Sequence, residues 1–242
     1  MKGIILAGGT GSRLLPLTKV TNKHLLPVGK KPMIFYPIER MVESGIKDIM
    51  IISGTAHMGS MFQLLGSGKE FGCNFTYRVQ DIPNGIGGAL SLCEDFASGE
   101  PTLVILGDNI FSENLTRHIL EYSLNIEKGC MLFLRKVKDP HRYGVATFNN
   151  GKLVKITEKP KTPDSDYCIT GIYIYDKEVF KIIKTLNKSE RGEIEVTDIN
   201  NLYIRDGNAS WCLIEKDWTD AGTWESYKSA NDLFFENKEE KK

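Results

Sequence analysis

The chain has 242 residues, with 31 Lys plus Arg against 31 Asp plus Glu, so its formal net charge is zero. That length holds one large domain or two small ones with a core of their own, and the balanced charge excludes a general nucleic-acid binder, which needs a basic excess. No apolar run approaches the length of a membrane-spanning helix. The five cysteines, Cys73, Cys93, Cys130, Cys168 and Cys212, show no C-x-x-C or metal spacing and read as buried free thiols. The chain starts directly with a core strand, so the expectation is a soluble cytoplasmic protein without a leader.

In chain order, Gly3 to Ala7 is a short apolar run that predicts a buried strand. It empties into Gly8, Gly9, Thr10, Gly11, Ser12 and Arg13. Glycines at a strand exit let an anion approach backbone N–H groups closely, and Arg13 sets a fixed cation beside them. The alternative is a plain tight turn. A dinucleotide fingerprint is excluded, because its third glycine is replaced by Leu14. A P-loop is excluded as well: Gly68-Lys69 is followed by Glu70 and preceded at the required place by Gln63.

Residues 14–31 are polar and irregular and carry Lys19, Lys23 and His24. A helix over 33–44 follows Pro32 and stops at Gly45. A second buried strand covers 48–53. Strand, helix, strand within fifty residues predicts a βαβ unit and a parallel sheet. A helix over 58–65, a strand over 74–79, a glycine-rich loop over 80–88, a helix over 89–96 and a strand over 102–106 come next. That last strand ends at Gly107-Asp108-Asn109, the place where open α/β sheets put site residues.

The second half reads as a helix over 113–128 and strands over 131–137, 144–148, 153–157 and 169–175. Asn149-Asn150-Gly151 marks a hairpin. Helices over 177–186 and 195–206, a strand over 209–214, a loop over 217–223 and a helix over 224–236 complete it, before a charged tail at 237–242. No Pro/Ser-rich linker divides the chain. The simplest organisation is one domain, 1–242, with one lobe near 1–110 and another near 111–236.

Two carboxylates beside glycine, Asp108 and Asp220, are candidates to hold Mg²⁺ with triphosphate oxygens and water completing its shell; either can also be a simple turn former. Arg13 and Lys23 are candidate cations for departing phosphates, or solvated surface charge. Glu158-Lys159-Pro160 alternates faces unless Pro160 bends it. Arg191-Gly192-Glu193 precedes a helix at Glu195. The histidines are scattered, and none is assigned to a metal.

Ten stretches then share one pattern in one order. They are Lys2-Gly-Ile-Ile-Leu-Ala-Gly-Gly-Thr-Gly-Ser-Arg-Leu14, Asn22-Lys-His-Leu-Leu-Pro-Val28, Lys31-Pro-Met33, Gly107-Asp-Asn-Ile-Phe111, Asp139-Pro-His-Arg-Tyr-Gly-Val145, Glu158-Lys-Pro-Lys161, Thr170-Gly-Ile-Tyr173, Arg191-Gly-Glu-Ile-Glu195, Thr197-Asp-Ile-Asn200 and Trp218-Thr-Asp-Ala-Gly-Thr223. Along its whole length the chain resembles the sugar-1-phosphate nucleotidylyltransferases.

The resemblance implies an α/β fold, a doubly wound, mostly parallel sheet with a smaller sugar-binding lobe. It implies Mg²⁺-dependent displacement at the α-phosphorus of dTTP by glucose 1-phosphate. It places Leu6, Gly8, Gly9, Thr10, Gly11, Ser12, Arg13 and Lys23 around the nucleotide, with Gln80 and Gly85 on the base and Asp108 and Asp220 on the metal. It assigns Arg13, Lys23, Asp108 and Asp220 to catalysis. It places Asn109, Tyr143, Gly144, Glu158, Lys159, Ile169, Thr170, Gly171, Arg191 and Glu193 around the sugar phosphate. It further implies a homo-oligomer, dimer or tetramer.

The sequence departs from the family at Gly88 and at His24, both of which stand where relatives carry Gln. It also ends at Lys242, short of helices that in many members help build a regulatory nucleotide site, so feedback through such a site is not expected. Rival readings are a UTP-using relative, a glycosyltransferase using Asp164-Ser-Asp166, and a non-catalytic nucleotide-sugar sensor.

Overall fold

The computed structural model describes residues 1–125 and 128–236; the charged tail expected at 237–242, and residues 126 and 127 of the expected 113–128 helix, lie outside the described residues. β1 (Lys2–Leu6) leads through a short ribbon, β2 (Pro27–Val28) and β3 (Lys31–Pro32), into α1 (Phe35–Glu43). Pro32 therefore lies in β3 rather than in the first helical turn, while Gly45 ends the helix as expected, with φ of 84°. β4 (Asp48–Gly54), α2 (Met58–Leu65), β5 (Asn74–Gln80), α3 (Gly85–Ser91), α4 (Glu94–Ala97) and β6 (Thr102–Leu106) follow. β4 and β6 flank β1 in parallel, and β5 pairs outside β4 in parallel.

Alternation within β1 sets the layers. Ile4 and Leu6 join a core cluster with Ala89 and Leu90 of α3, whereas Ile5 joins one with Ile38 and Met41 of α1 and Met61 of α2. Helices on both faces of this parallel sheet give the doubly wound arrangement.

β7 (Asn109–Phe111), α5 (Thr116–Asn125), β8 (Cys130–Lys136), β9 (Gly144–Asn149), β10 (Lys152–Glu158) and β11 (Tyr167–Tyr175) come next. β9 and β10 are joined through Asn150 and Gly151, both left-handed as the turn requires. α6 (Val179–Thr185), α7 (Val196–Arg205), β12 (Ala209–Leu213), β13 (Trp218–Asp220) and α8 (Trp224–Glu236) close the chain.

β11 is the seam of the sheet. Residues 172–175 run antiparallel to β6, Cys168 pairs with Val145 of β9, and β8 lies along the other edge. Its register with β8 shifts between Ile169 and Tyr173. A small cluster of Val28, Met33, Tyr36, Ile110, Ala221 and Ala230 fastens α8 to β2 and β7.

Three further differences from the sequence expectation have a local cause. Helix α3 begins at Gly85, inside the expected loop, because its glycines let it lie directly on Ile194: a Cβ on Gly87 would stand 2.5 Å from Ile194 Cγ2. The expected loop 217–223 contains β13, which pairs with β7. α5 starts at Thr116 rather than 113, where Asn114 Oδ1 accepts from the Thr116 N–H at 2.9 Å. Among the described residues no helix is long and apolar enough to cross a membrane.

Candidate active site

The site forms where β1 and β6 end side by side. Past β1, Asn22 ties the next segment back to the strand. Its Nδ2 donates to the Ala7 carbonyl at 3.2 Å, and its Oδ1 accepts from the His24 backbone N–H at 2.8 Å and meets His24 Nδ1 at 2.6 Å. This fixes Lys23, whose ammonium makes a short ion pair with Asp108 beyond the end of β6. Gly107 lets the two segments close, since a Cβ there would lie 2.7 Å from His24 Cδ2.

Asp220 arrives through β13. The ladder to β7 sets Asp220 opposite Asn109, and the Ala221 N–H donates to the Asp108 carbonyl at 2.8 Å. Around Gly222 an added Cβ would lie 3.4 Å from an oxygen of each of Asp108 and Asp220 and 3.5 Å from an Arg13 guanidinium nitrogen. Two carboxylates and a cation thus converge on one point.

Burial works to raise the Asp108 carboxyl, but the Lys23 charge and hydrogen bonds from Lys23 and Asn109 hold it well below the usual carboxylate range. Asp220 behaves oppositely: burial and the Asp108 charge raise it, partly offset by a 3.0 Å hydrogen bond from Tyr143. Burial and the Lys23 charge push the His24 imidazole down to about 3, so it is neutral at physiological pH.

Two adjoining cavities share Arg13, Ile86, Leu106, Asp108 and Glu193. The larger, about 360 Å³, brings together Asn109, Tyr143, Gly144, Glu158, Lys159, Ile169, Thr170, Gly171, Arg191, Glu193 and Asp220. Every residue expected around the sugar phosphate lines it. The second, about 310 Å³, is walled by Leu6, Gly8, Gly9, Arg13, Lys23, Gln80 and Gly85, with Pro83 and Ala89 at the apolar side. Thr10, Gly11 and Ser12 line neither cavity. They form an exposed turn beside it, where the Gly11 carbonyl accepts from Thr18 Oγ1 at 2.8 Å.

Glu158 and Lys159 both reach the larger cavity because Lys159 leaves the strand with a φ of 41°. Its N–H donates to the Tyr143 carbonyl at 3.0 Å, and its ammonium lies 3.5 Å from Glu158. Asp164 and Asp166 line neither cavity; they meet Thr147 and Lys136 instead.

The sequence reading missed the supports. Asn109 Oδ1 accepts from the Gly171 N–H and from Trp218 Nε1, each at 2.8 Å. Arg191 is held by both oxygens of Glu195, at 3.2 and 2.8 Å. Thr197 donates to Glu158 at 3.0 Å, and Arg142 lines the wall. Trp218, Glu195 and Thr197 stand inside motif stretches, which was the available signal.

A doubly wound sheet whose strand ends carry a glycine turn, converging cations and two facing carboxylates defines an enzyme of phosphorylated-group transfer. The sequence profile described as nucleotidyl transferase matches residues 2–237. A glucose-1-phosphate thymidylyltransferase of Neisseria meningitidis is 41% identical over 95% of this chain and 81% of its own length; one of Xanthomonas campestris pv. campestris is 43% identical over 95% and 79%. A crystal structure from Bacillus anthracis, provisionally described as a glucose-1-phosphate thymidylyltransferase in complex with sucrose, superposes with a TM-score of 0.94 at 53% identity, covering 98% of this chain and 96% of that one. A UDP-glucose pyrophosphorylase bound to UDP-glucose shares the fold, with a TM-score of 0.86 at 24% identity over 98% and 99% of the two chains. The chain belongs to the nucleotidyl transferase family and is a nucleotidyltransferase.

Proposed function

We propose that this enzyme transfers a thymidylyl group from dTTP to α-D-glucose 1-phosphate, forming dTDP-glucose and pyrophosphate. The observation that carries the reading is the pair of adjoining cavities with Arg13 and Asp108 on their common wall. One has an apolar side and a cationic side suited to a nucleoside triphosphate. The other is polar, with Lys159 and Arg191 to hold a phosphate and Glu158 to accept from sugar hydroxyls. The names of the relatives from Neisseria and Xanthomonas support the choice of substrates.

In this reading the sugar phosphate oxygen attacks the α-phosphorus, and the bond to the β-phosphate oxygen breaks. No protein nucleophile is needed, because alignment and charge neutralisation suffice. Lys159 and Arg191 orient the attacking phosphate, with Arg191 pre-set by Glu195. The cradle N–H groups, Arg13 and Lys23 stabilise charge on the departing pyrophosphate.

Asp108 and Asp220 are the residues that would hold Mg²⁺. Among the described residues no group of three or more His, Cys, Asp or Glu could cage a metal. A pair of carboxylates that leaves room for phosphate oxygens and water is what Mg²⁺ takes, and a cation there would offset both the burial and the Asp108 charge that raise the Asp220 carboxyl. When bound, Mg²⁺ supplies positive charge to the triphosphate oxygens. The same reading treats residues 1–110 as the nucleotide lobe and 111–236 as the sugar lobe of one domain, in a cytoplasmic dimer or tetramer.

The test is pyrophosphate release with glucose 1-phosphate and each of dTTP, UTP, CTP, ATP and GTP. dTTP is expected to give the highest kcat/KM. A clear preference for UTP with the same sugar would make the protein a uridylyltransferase instead.

A further inference from the structure

Among the residues walling the second cavity, Gln80 carries the only side-chain amide. The cations of that cavity come from the cradle and the segment after it, whereas Gln80 ends β5 and lines the cavity with Pro83 and with Gly85 and Ile86 at the start of α3. It is therefore placed to meet a base. Its orientation is fixed by two acceptors: Nε2 donates to Asn84 Oδ1 at 2.9 Å and to the Gly85 carbonyl at 3.3 Å. A carbonyl can only accept, so the atom facing Gly85 is the nitrogen. Oε1 receives no hydrogen bond from any described residue, and it lies toward the cradle, where a Cβ on Gly8 would come within 2.9 Å of it.

Asn84 holds this pose only because residue 88 is glycine. A Cβ there would stand 2.0 Å from Asn84 Oδ1 and 2.2 Å from its Cγ. Those distances are well inside van der Waals contact, so any larger residue at 88 displaces the Asn84 amide. The backbone around Asn84 is anchored independently, with its carbonyl accepting from the Ile194 N–H at 2.9 Å.

We propose that Asn84, seated over Gly88, is a positioning residue that locks the Gln80 amide with its oxygen toward the cavity, and so selects bases with a ring N–H donor, the imide of thymine or uracil, over cytosine. Cytosine presents a lone pair at that ring position, and two facing acceptors repel. Without Asn84 the Gln80 amide keeps only its longer contact to the Gly85 carbonyl, at 3.3 Å, so the present pose is held less strongly against a turn about its terminal torsion, which is broad and two-fold. It then offers NH₂ to cytosine. This rests on the reading above that the second cavity takes the nucleotide.

The experiment measures kcat and KM for dTTP, UTP and CTP in the wild type, Asn84→Ala, Asn84→Asp, Gly88→Ala and the Asn84→Ala/Gly88→Ala double variant. Discrimination built on a paired polar group is expected to favour dTTP over CTP by about 100-fold or more in the wild type. Asn84→Ala should narrow that ratio by roughly 10-fold, through KM with kcat for dTTP nearly unchanged. Asn84→Asp, whose oxygens still accept from Gln80, should restore it. Gly88→Ala should narrow it as Asn84→Ala does, and should add nothing once Asn84 is gone.

The proposal is overturned if Asn84→Ala keeps the wild-type ratio, or if Gly88→Ala narrows it equally in the absence of Asn84; in both cases the nucleotide reading stands. A wild type that turns over none of the three triphosphates removes that reading and the proposal together.

Discussion

Asp108 is kept charged against its own burial by Lys23, a contact between residues 85 positions apart. The sequence points to each of them, one as a carboxylate at a strand end and one as a cation near a glycine turn, but not to their pairing. That requires Asn22 to pin one segment to β1 and Gly107 to let the other close. Asp108→Asn keeps the shape of the side chain and an oxygen that can still accept from Lys23, while removing the charge. Turnover is expected to fall by about 100-fold or more, with the far-UV circular dichroism spectrum unchanged. Near-normal pyrophosphate release from that variant would refute the metal role of Asp108.

The end of β10 shows how an element delivers two neighbours to one place. Side chains along a strand alternate, so Glu158 and Lys159 would face opposite ways in regular backbone. The left-handed φ at Lys159 turns its side chain back beside Glu158. Left-handed backbone at a non-glycine residue is destabilising by roughly 1–2 kcal/mol. Lys159→Gly and Lys159→Ala remove the same ammonium but differ in that strain. Thermal unfolding should find the Gly variant about 1 kcal/mol more stable than the Ala variant, while both lose affinity for the sugar phosphate equally. Equal stabilities would show that the left-handed turn carries no strain.

The sequence reading recognised that this dipeptide needed a bend, but not that Lys159 itself supplies it. At α3 the sequence misled: Gly85, Gly87 and Gly88 read as loop, whereas contact of Gly85 and Gly87 with Ile194, more than a hundred residues away, makes their lack of side chains an asset in a helix.

Across the molecule, the parallel strands β1, β4 and β6 were legible because their apolar runs are continuous or nearly so and bounded by turn residues, and β5 because apolar and polar residues alternate along it. The antiparallel pairings of β11 were not, since register between distant strands leaves no local mark. Stability as a whole has a pH signature from one buried side chain. His24 binds its proton near 6.5 when unfolded and near 3 when folded. Between those values the unfolded state holds more protons, so stability falls as pH drops through this window, by up to about 1.4 kcal/mol per pH unit. His24→Gln should flatten denaturant-measured stability between pH 6 and pH 4. An acid limb as steep as that of the wild type would assign the effect to other groups.

β11 ties both cavities to one piece of backbone. Its C-terminal part is bonded to β6, the strand that leads to Asp108, and residues 169–171 wall the larger cavity. The separation of the two cavities is thus a chain length, a few residues at about 3.3 Å each, and not a product of loop conformation. On the reading proposed above, either cavity can be refitted by its own segment, Gln80–Gly88 or Arg191–Glu195, without drawing the two reactants apart. A lineage built on such a ruler can exchange bases and sugars while inheriting the same displacement chemistry.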